Sequence, residues 1–119
     1  MKLYKEEIEN FRKDNGDIHI RGKNPIRPIM NWYQCGLPIP ILNFITEIKK
    51  FTTPFPIQSQ ALPCLMSGRD VIGIAETGSG KTLAYLLPMI RHILVQRPLK
   101  PNEGPIGMII VPSRELAWQ

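Results

Sequence analysis

At 119 residues, 43% of them hydrophobic and 21% charged, the chain is long enough for one small globular domain and too apolar to be disordered. Its net charge of +5 at pH 7, from 15 basic and 10 acidic side chains, suits a polyanionic partner without requiring one. No apolar run reaches membrane-spanning length, the charged start Met1-Lys2-Leu3-Tyr4-Lys5-Glu6-Glu7 is no secretory signal, and Cys35 and Cys64 form no C-x-x-C pair, so a soluble intracellular protein with reduced thiols is expected.

In chain order, Tyr4 to Lys13 reads as a short charged helix with Ile8 and Phe11 on one side, ended by Asn15-Gly16. Ile18 to Arg21 looks briefly extended, and Pro25 and Pro28 keep the segment to Met30 extended along the surface. Trp32 reads as a half-buried packing residue. Pro40 is well placed as a first helical residue, and Ile41, Leu42, Ile45 and Ile48 recur on one helical face, a pattern of core packing. After a break at Phe51-Thr52-Thr53-Pro54, a second helix is predicted from Pro56 to Met66, closed by Ser67-Gly68. Val71-Ile72-Gly73-Ile74 reads as a strand, and Leu83 to Val95 as a helix bent by Pro88, which removes the bond to the Ala84 carbonyl. Pro98 and Pro101 mark a loop. Met108 to Val111 has the continuous apolar character of a buried parallel strand, and Pro112 to Gln119 starts the next loop and helix.

The most informative stretch is Ala75-Glu76-Thr77-Gly78-Ser79-Gly80-Lys81-Thr82, set between that first strand and the helix. Strand, glycine-rich loop and helix form the context of a phosphate-binding P-loop. Gly78 and Gly80 allow a sharp turn that aims successive N–H groups at phosphate oxygens. Lys81 supplies a point charge for the β- and γ-phosphates, the Thr82 hydroxyl is suited to Mg²⁺, and the helix adds the positive end of its dipole. The strict pattern opens with Gly, where this chain has Ala75.

Three blocks, Phe51 to Gln58, Ala75 to Thr82 and Pro112-Ser113-Arg114-Glu115-Leu116-Ala117-Trp118-Gln119, stand in one order and spacing that resembles the start of a DEAD-box RNA helicase. They are similar to that family's adenine-reading Q motif, motif I and motif Ia. Trp32 to Gly36, Ile41-Leu42-Asn43, Met66 to Asp70 and Arg91-His92-Ile93 further resemble pre-mRNA-splicing members that help select the branch site.

The resemblance implies an α/β fold: a first RecA-like P-loop domain, a parallel sheet with flanking helices, incomplete here and preceded by a short N-terminal extension. The implied division is extension at 1–29, Q-motif region at 30–60 and start of the ATP-binding domain at 61–119. It implies binding of ATP and Mg²⁺, with Thr82 toward the metal, Lys81 and Thr82 in catalysis, and Phe51, Gln58 and Ala75 through Thr82 around the nucleotide. The Gln58 amide would read adenine in a bidentate way; without the family it would be a surface helix residue. Phe51 would give the base an aromatic face or simply pack in the core. Pro112, Ser113 and Arg114 would touch the RNA backbone, with Glu115 orienting Arg114 or capping backbone groups. Spliceosomal proteins become expected partners, the nucleus the expected location, and no membrane is implied. The family's acidic motif and second RecA-like domain would follow Gln119, so the chain reads as an N-terminal fragment not competent for hydrolysis by itself.

Two places depart from the family: around Lys49-Lys50-Phe51 the usual Gly before the aromatic is missing and the segment looks one residue long, and the second is Phe55. Phe55 stands where a Ser or Thr would cap the helix starting at Pro56, and loss of such a cap costs about 0.5–2 kcal/mol. A looser Q-motif loop and weaker adenine discrimination are expected. Two other classes fit parts of the chain: a non-catalytic nucleotide- or partner-binding module, and a P-loop ATPase of another family.

Overall fold

The computed structural model describes residues 2–14, 16–49 and 51–119. The expected stop at Asn15 lies outside the described residues, as does the side chain of Ile48 in the predicted apolar stripe.

Among the described residues five α-helices follow in order: α1 (Lys2–Asp14), α2 (Ile39–Asn43), α3 (Pro56–Met66), α4 (Lys81–Leu94) and α5 (Arg114–Ala117). A 3-10 turn, Trp32–Cys35, precedes α2, and a π-helical turn, Phe44–Ile48, continues it. Pro40 does sit in the first turn of α2, and the switch to π hydrogen bonding is marked by Lys49 N–H donating to the Phe44 carbonyl at 3.0 Å. Helix α3 starts and stops where its sequence predicts, with Pro56 at its first position and Gly68 beyond its end at φ +87°.

The core forms where α3 packs along α4 and both meet the segment that precedes them. Ile29, Trp32, Cys35, Leu37, Ile45, Leu62 and Leu87 make one buried cluster, with Ile41, Leu42 and Phe51 packed against it. Trp32 is 1% exposed. It is therefore a core anchor, deeper than the half-buried position its sequence suggests. Asn31 positions it by capping the 3-10 turn: its side chain accepts from Tyr33 N–H at 3.0 Å, while Gln34 Oε1 accepts from Asn31 N–H at 3.3 Å.

The N-terminal segment is stitched onto α3. Gln60, 8% exposed, accepts from Arg12 Nε of α1 at 3.0 Å and donates to the Ile26 carbonyl at 2.7 Å. Ile29 N–H donates to the Ser59 carbonyl at 2.8 Å, and the Arg69 guanidinium reaches the Asn24 carbonyl.

The predicted strands require a correction. Among the described residues there is no paired strand; Val71 to Ile74 and Met108 to Val111 run without a ladder partner. A helix comes close to each run: a Cβ on Gly73 would lie 3.2 Å from Ile57 of α3, and one on Gly107, just before the second run, 3.0 Å from the Met89 sulfur of α4. Away from those helices their side chains face outward, Ile72 being 93% exposed and Ile110 86%. An apolar run predicts where a strand belongs, but a strand also needs a neighbour to take its N–H and C=O groups. No helix among the described residues is long and apolar enough to cross a membrane.

Candidate phosphate-loop site

Residues 75–80 join the extended 71–74 run to α4. Gly78 and Gly80 take φ of +80° and +82°, the left-handed backbone that glycine adopts without strain. Ser79 N–H donates to the Glu76 carbonyl at 3.2 Å, which rolls the loop into a turn. The Lys81 ammonium donates to the Ala75 carbonyl at 2.6 Å, so the first residue of α4 reaches back across the loop to its first residue. Thr82 is exposed in the first turn of α4. Two features leave room and polarity for a ligand. A Cβ at Gly78 would meet nothing within 4 Å, and the Ser79 hydroxyl is buried without a hydrogen-bond partner.

The second wall comes from the start of α3. Gln58 is 2% exposed, and both ends of its carboxamide are engaged. Its Oε1 accepts from Phe55 N–H at 2.8 Å, and its Nε2 donates to the Gly80 carbonyl at 3.0 Å. This one side chain ties the entry to α3 to the end of the glycine loop, and rules out the reading of Gln58 as a surface helix residue. The carboxamide keeps one further N–H and one further lone pair. As expected, Phe55 makes no side-chain cap to α3, but the reach of Gln58 back to its N–H supplies the other half of a capping arrangement. Phe51 packs partly on the core, its ring 6.3 Å from that of Phe55 at 51°.

The C-terminal block lies on the other side of α4. Thr82, Tyr85 and Leu86 share a cleft with Val111, Leu116 and Gln119, so the loop lysine's neighbour and the last block face a common space. Pro112, Ser113 and Arg114 are exposed and do not line that cleft. Ser113 caps α5 by accepting from Leu116 N–H at 3.2 Å. The capping role considered for Glu115 therefore belongs to Ser113, and no ion pair joins Glu115 to Arg114 among the described residues.

Most of the residues singled out from sequence thus gather around one loop: Gln58, with Phe55 and Phe51 behind it, on one side, Ala75 to Thr82 in the middle. The 112–114 group stands apart. Sequence reasoning missed the Gln58–Gly80 bond and the buried bridge at Gln60. The Asn31-x-x-Gln34 spacing could have announced the capped turn beneath Trp32.

Loop, lysine and following helix have together the form of a P-loop phosphate site. Residues 55–119 match the family model described as DEAD/DEAH box helicase. The chain belongs to the DEAD/DEAH box helicase family. It is 52% identical over 118 residues to a Debaryomyces hansenii protein named pre-mRNA-processing ATP-dependent RNA helicase PRP5, covering 99% of this chain and 13% of that protein. It is 52% identical over 120 residues to a human protein named probable ATP-dependent RNA helicase DDX46, covering 99% of this chain and 11% of that one. The chain therefore spans roughly an eighth of the length of the curated relatives it matches. Its coordinates superpose on the crystal structure of the yeast DEAD-box splicing factor Prp28 with a TM-score of 0.83 at 32% identity, over 95% of this chain and 27% of that one.

Proposed function

We propose that these residues form the nucleotide-binding start of an ATP-dependent RNA helicase acting in pre-mRNA splicing. The observation that carries this reading is the Gln58–Gly80 hydrogen bond, which joins an amide suited to an adenine edge directly to a phosphate loop. Gln58, Phe51 and Ala75 through Thr82 hold the nucleotide in this reading. Lys81 exchanges its internal bond to Ala75 for phosphate oxygens, the loop N–H groups and the Ser79 hydroxyl take others, and Thr82 carries Mg²⁺. When bound, ATP supplies a γ-phosphoryl group whose transfer to water is the energy source, and Mg²⁺ neutralises its charge.

Pro112, Ser113 and Arg114 are proposed to meet the RNA backbone. Their exposure and the free O–H of Ser113 support this, as a short hydroxyl and a guanidinium position phosphate without reading a base. The extension at 1–29, Q-motif region at 30–60 and ATP-binding portion at 61–119 remain the proposed division, completed by a parallel sheet into which the 71–74 and 108–111 runs would enter. The names of the relatives support RNA as a partner, and spliceosomal proteins and a nuclear location are proposed together with the splicing role.

Calorimetric titration of the chain with ADP and GDP in Mg²⁺ tests the site. ADP should bind more tightly than GDP, and Lys81→Ala should weaken both by about tenfold or more, the loss of a charge-assisted phosphate contact. Equal binding of the two nucleotides would remove the adenine role of Gln58. Unchanged binding by Lys81→Ala would remove the phosphate role of the loop.

A further inference from the structure

The two aromatic rings beside the glycine loop are placed differently from what sequence alone implies. Phe51 is half-buried against the core cluster, while Phe55 remains 44% exposed. The Phe55 ring also lies against the loop itself: a Cβ on Gly80 would stand 2.6 Å from Phe55 Cδ2. Its backbone is fixed there, because Gln58 holds Phe55 N–H with one end of its carboxamide and the Gly80 carbonyl with the other. The rings are tilted at 51° with centroids 6.3 Å apart, so Phe51 supports Phe55 from the core side without covering it.

The result is an open aromatic surface at the residue that leads into Lys81. A ligand that carries phosphates and, a few bonds away, a flat ring matches both features at once. Resting on the nucleotide-site reading above, we propose that Phe55 is a further base-contacting residue: its exposed ring adds an aromatic face for the nucleobase beside that of Phe51, which also supports it from the core side. A Ser or Thr at this position would cap α3 but present no such surface. Contact with an aromatic face is available to any base, because every base has a π-face. The ring therefore raises affinity for the nucleoside part as a whole and leaves the choice of adenine to Gln58. Because the ring adds the same factor for every base, it leaves the ratio of adenine to guanine affinity unchanged.

The test compares ADP, GDP and inorganic pyrophosphate, each with Mg²⁺, on the chain and on Phe55→Leu, Phe55→Tyr and Phe51→Leu. Phe55→Leu should lower ADP and GDP affinity by the same factor, about tenfold, and leave pyrophosphate within about twofold. Phe55→Tyr, which keeps the ring, should retain ADP affinity. Phe51→Leu should weaken ADP less than Phe55→Leu does. ADP binding unchanged in Phe55→Leu, or pyrophosphate falling in step with ADP, would overturn the proposal, the second because the ring would then merely hold the loop in shape. Loss of ADP binding in Phe55→Tyr would overturn it as well. Binding of none of the three ligands by the unaltered chain would instead refute the nucleotide site, and the proposal with it.

Discussion

Gly78 and Gly80 share a backbone conformation but not an environment, and substituting each by alanine separates two physical terms. With φ of +80° and +82°, both positions charge an alanine the left-handed backbone cost of about 1–2 kcal/mol. At Gly78 nothing lies within 4 Å of a new Cβ, so that is the whole effect. At Gly80 the Cβ runs into the Gln58 amide nitrogen and stands 2.6 Å from Phe55 Cδ2. The exposed Phe55 ring can swing aside. Gln58 is 2% exposed and held at both ends, so it must give up its bond to the Gly80 carbonyl inside the protein. Leaving a buried donor unpaired costs about 1–3 kcal/mol, so Gly80→Ala should destabilise the chain by about 3 kcal/mol against about 1 for Gly78→Ala. Urea unfolding followed by circular dichroism reads both, provided the slopes with denaturant agree. Losses equal to within about 0.5 kcal/mol would refute the assignment of Gln58 as the clasp between α3 and the loop.

Two further outcomes are expected. Gln60→Leu removes the bonds to Arg12 and to the Ile26 carbonyl, and should cost about 1–2 kcal/mol while raising amide exchange in α1 and at Ile29; unchanged protection there would mean that the N-terminal segment is held by other contacts. Burial pushes the Cys35 thiol above its ordinary value of 9.0, against weaker lowering by backbone hydrogen bonds, and its Sγ donates to the Trp32 carbonyl at 2.9 Å. The native state then holds this proton more tightly than the unfolded one, so its stabilising contribution is intact below pH 9.0 and lost as pH rises toward the folded value. Iodoacetamide should label Cys35 in urea but scarcely in the native chain at pH 8, and Cys35→Ala should flatten the alkaline fall in melting temperature; rapid native labelling would contradict it.

Helices were legible in this sequence to within a few residues because their signals are local. Proline and glycine punctuate α3, and the change from glycine loop to apolar periodicity marks α4. The glycine loop was legible for the same reason. Trp32 was placed too near the surface, since its burial depends on Leu62 and Leu87, far along the chain. Gln58 and Gln60 have the same side chain two positions apart, and nothing local says that one would clasp the loop while the other bridges to α1. The 71–74 and 108–111 runs show the converse: their composition is that of strands, but pairing is a property of two segments and cannot be read from one.

The bond from Gln58 to Gly80 also bears on the order in which the molecule assembles. It closes a span of only 22 residues, and the helices it joins are successive elements of the chain. The entropy of closing such a loop grows only with the logarithm of its length, and contacts between sequence neighbours form fast. The glycine loop is thus framed by two helices that are successive in the chain, whatever partners the apolar runs find. In this chain the frame of the candidate site therefore rests on contacts of low sequence separation.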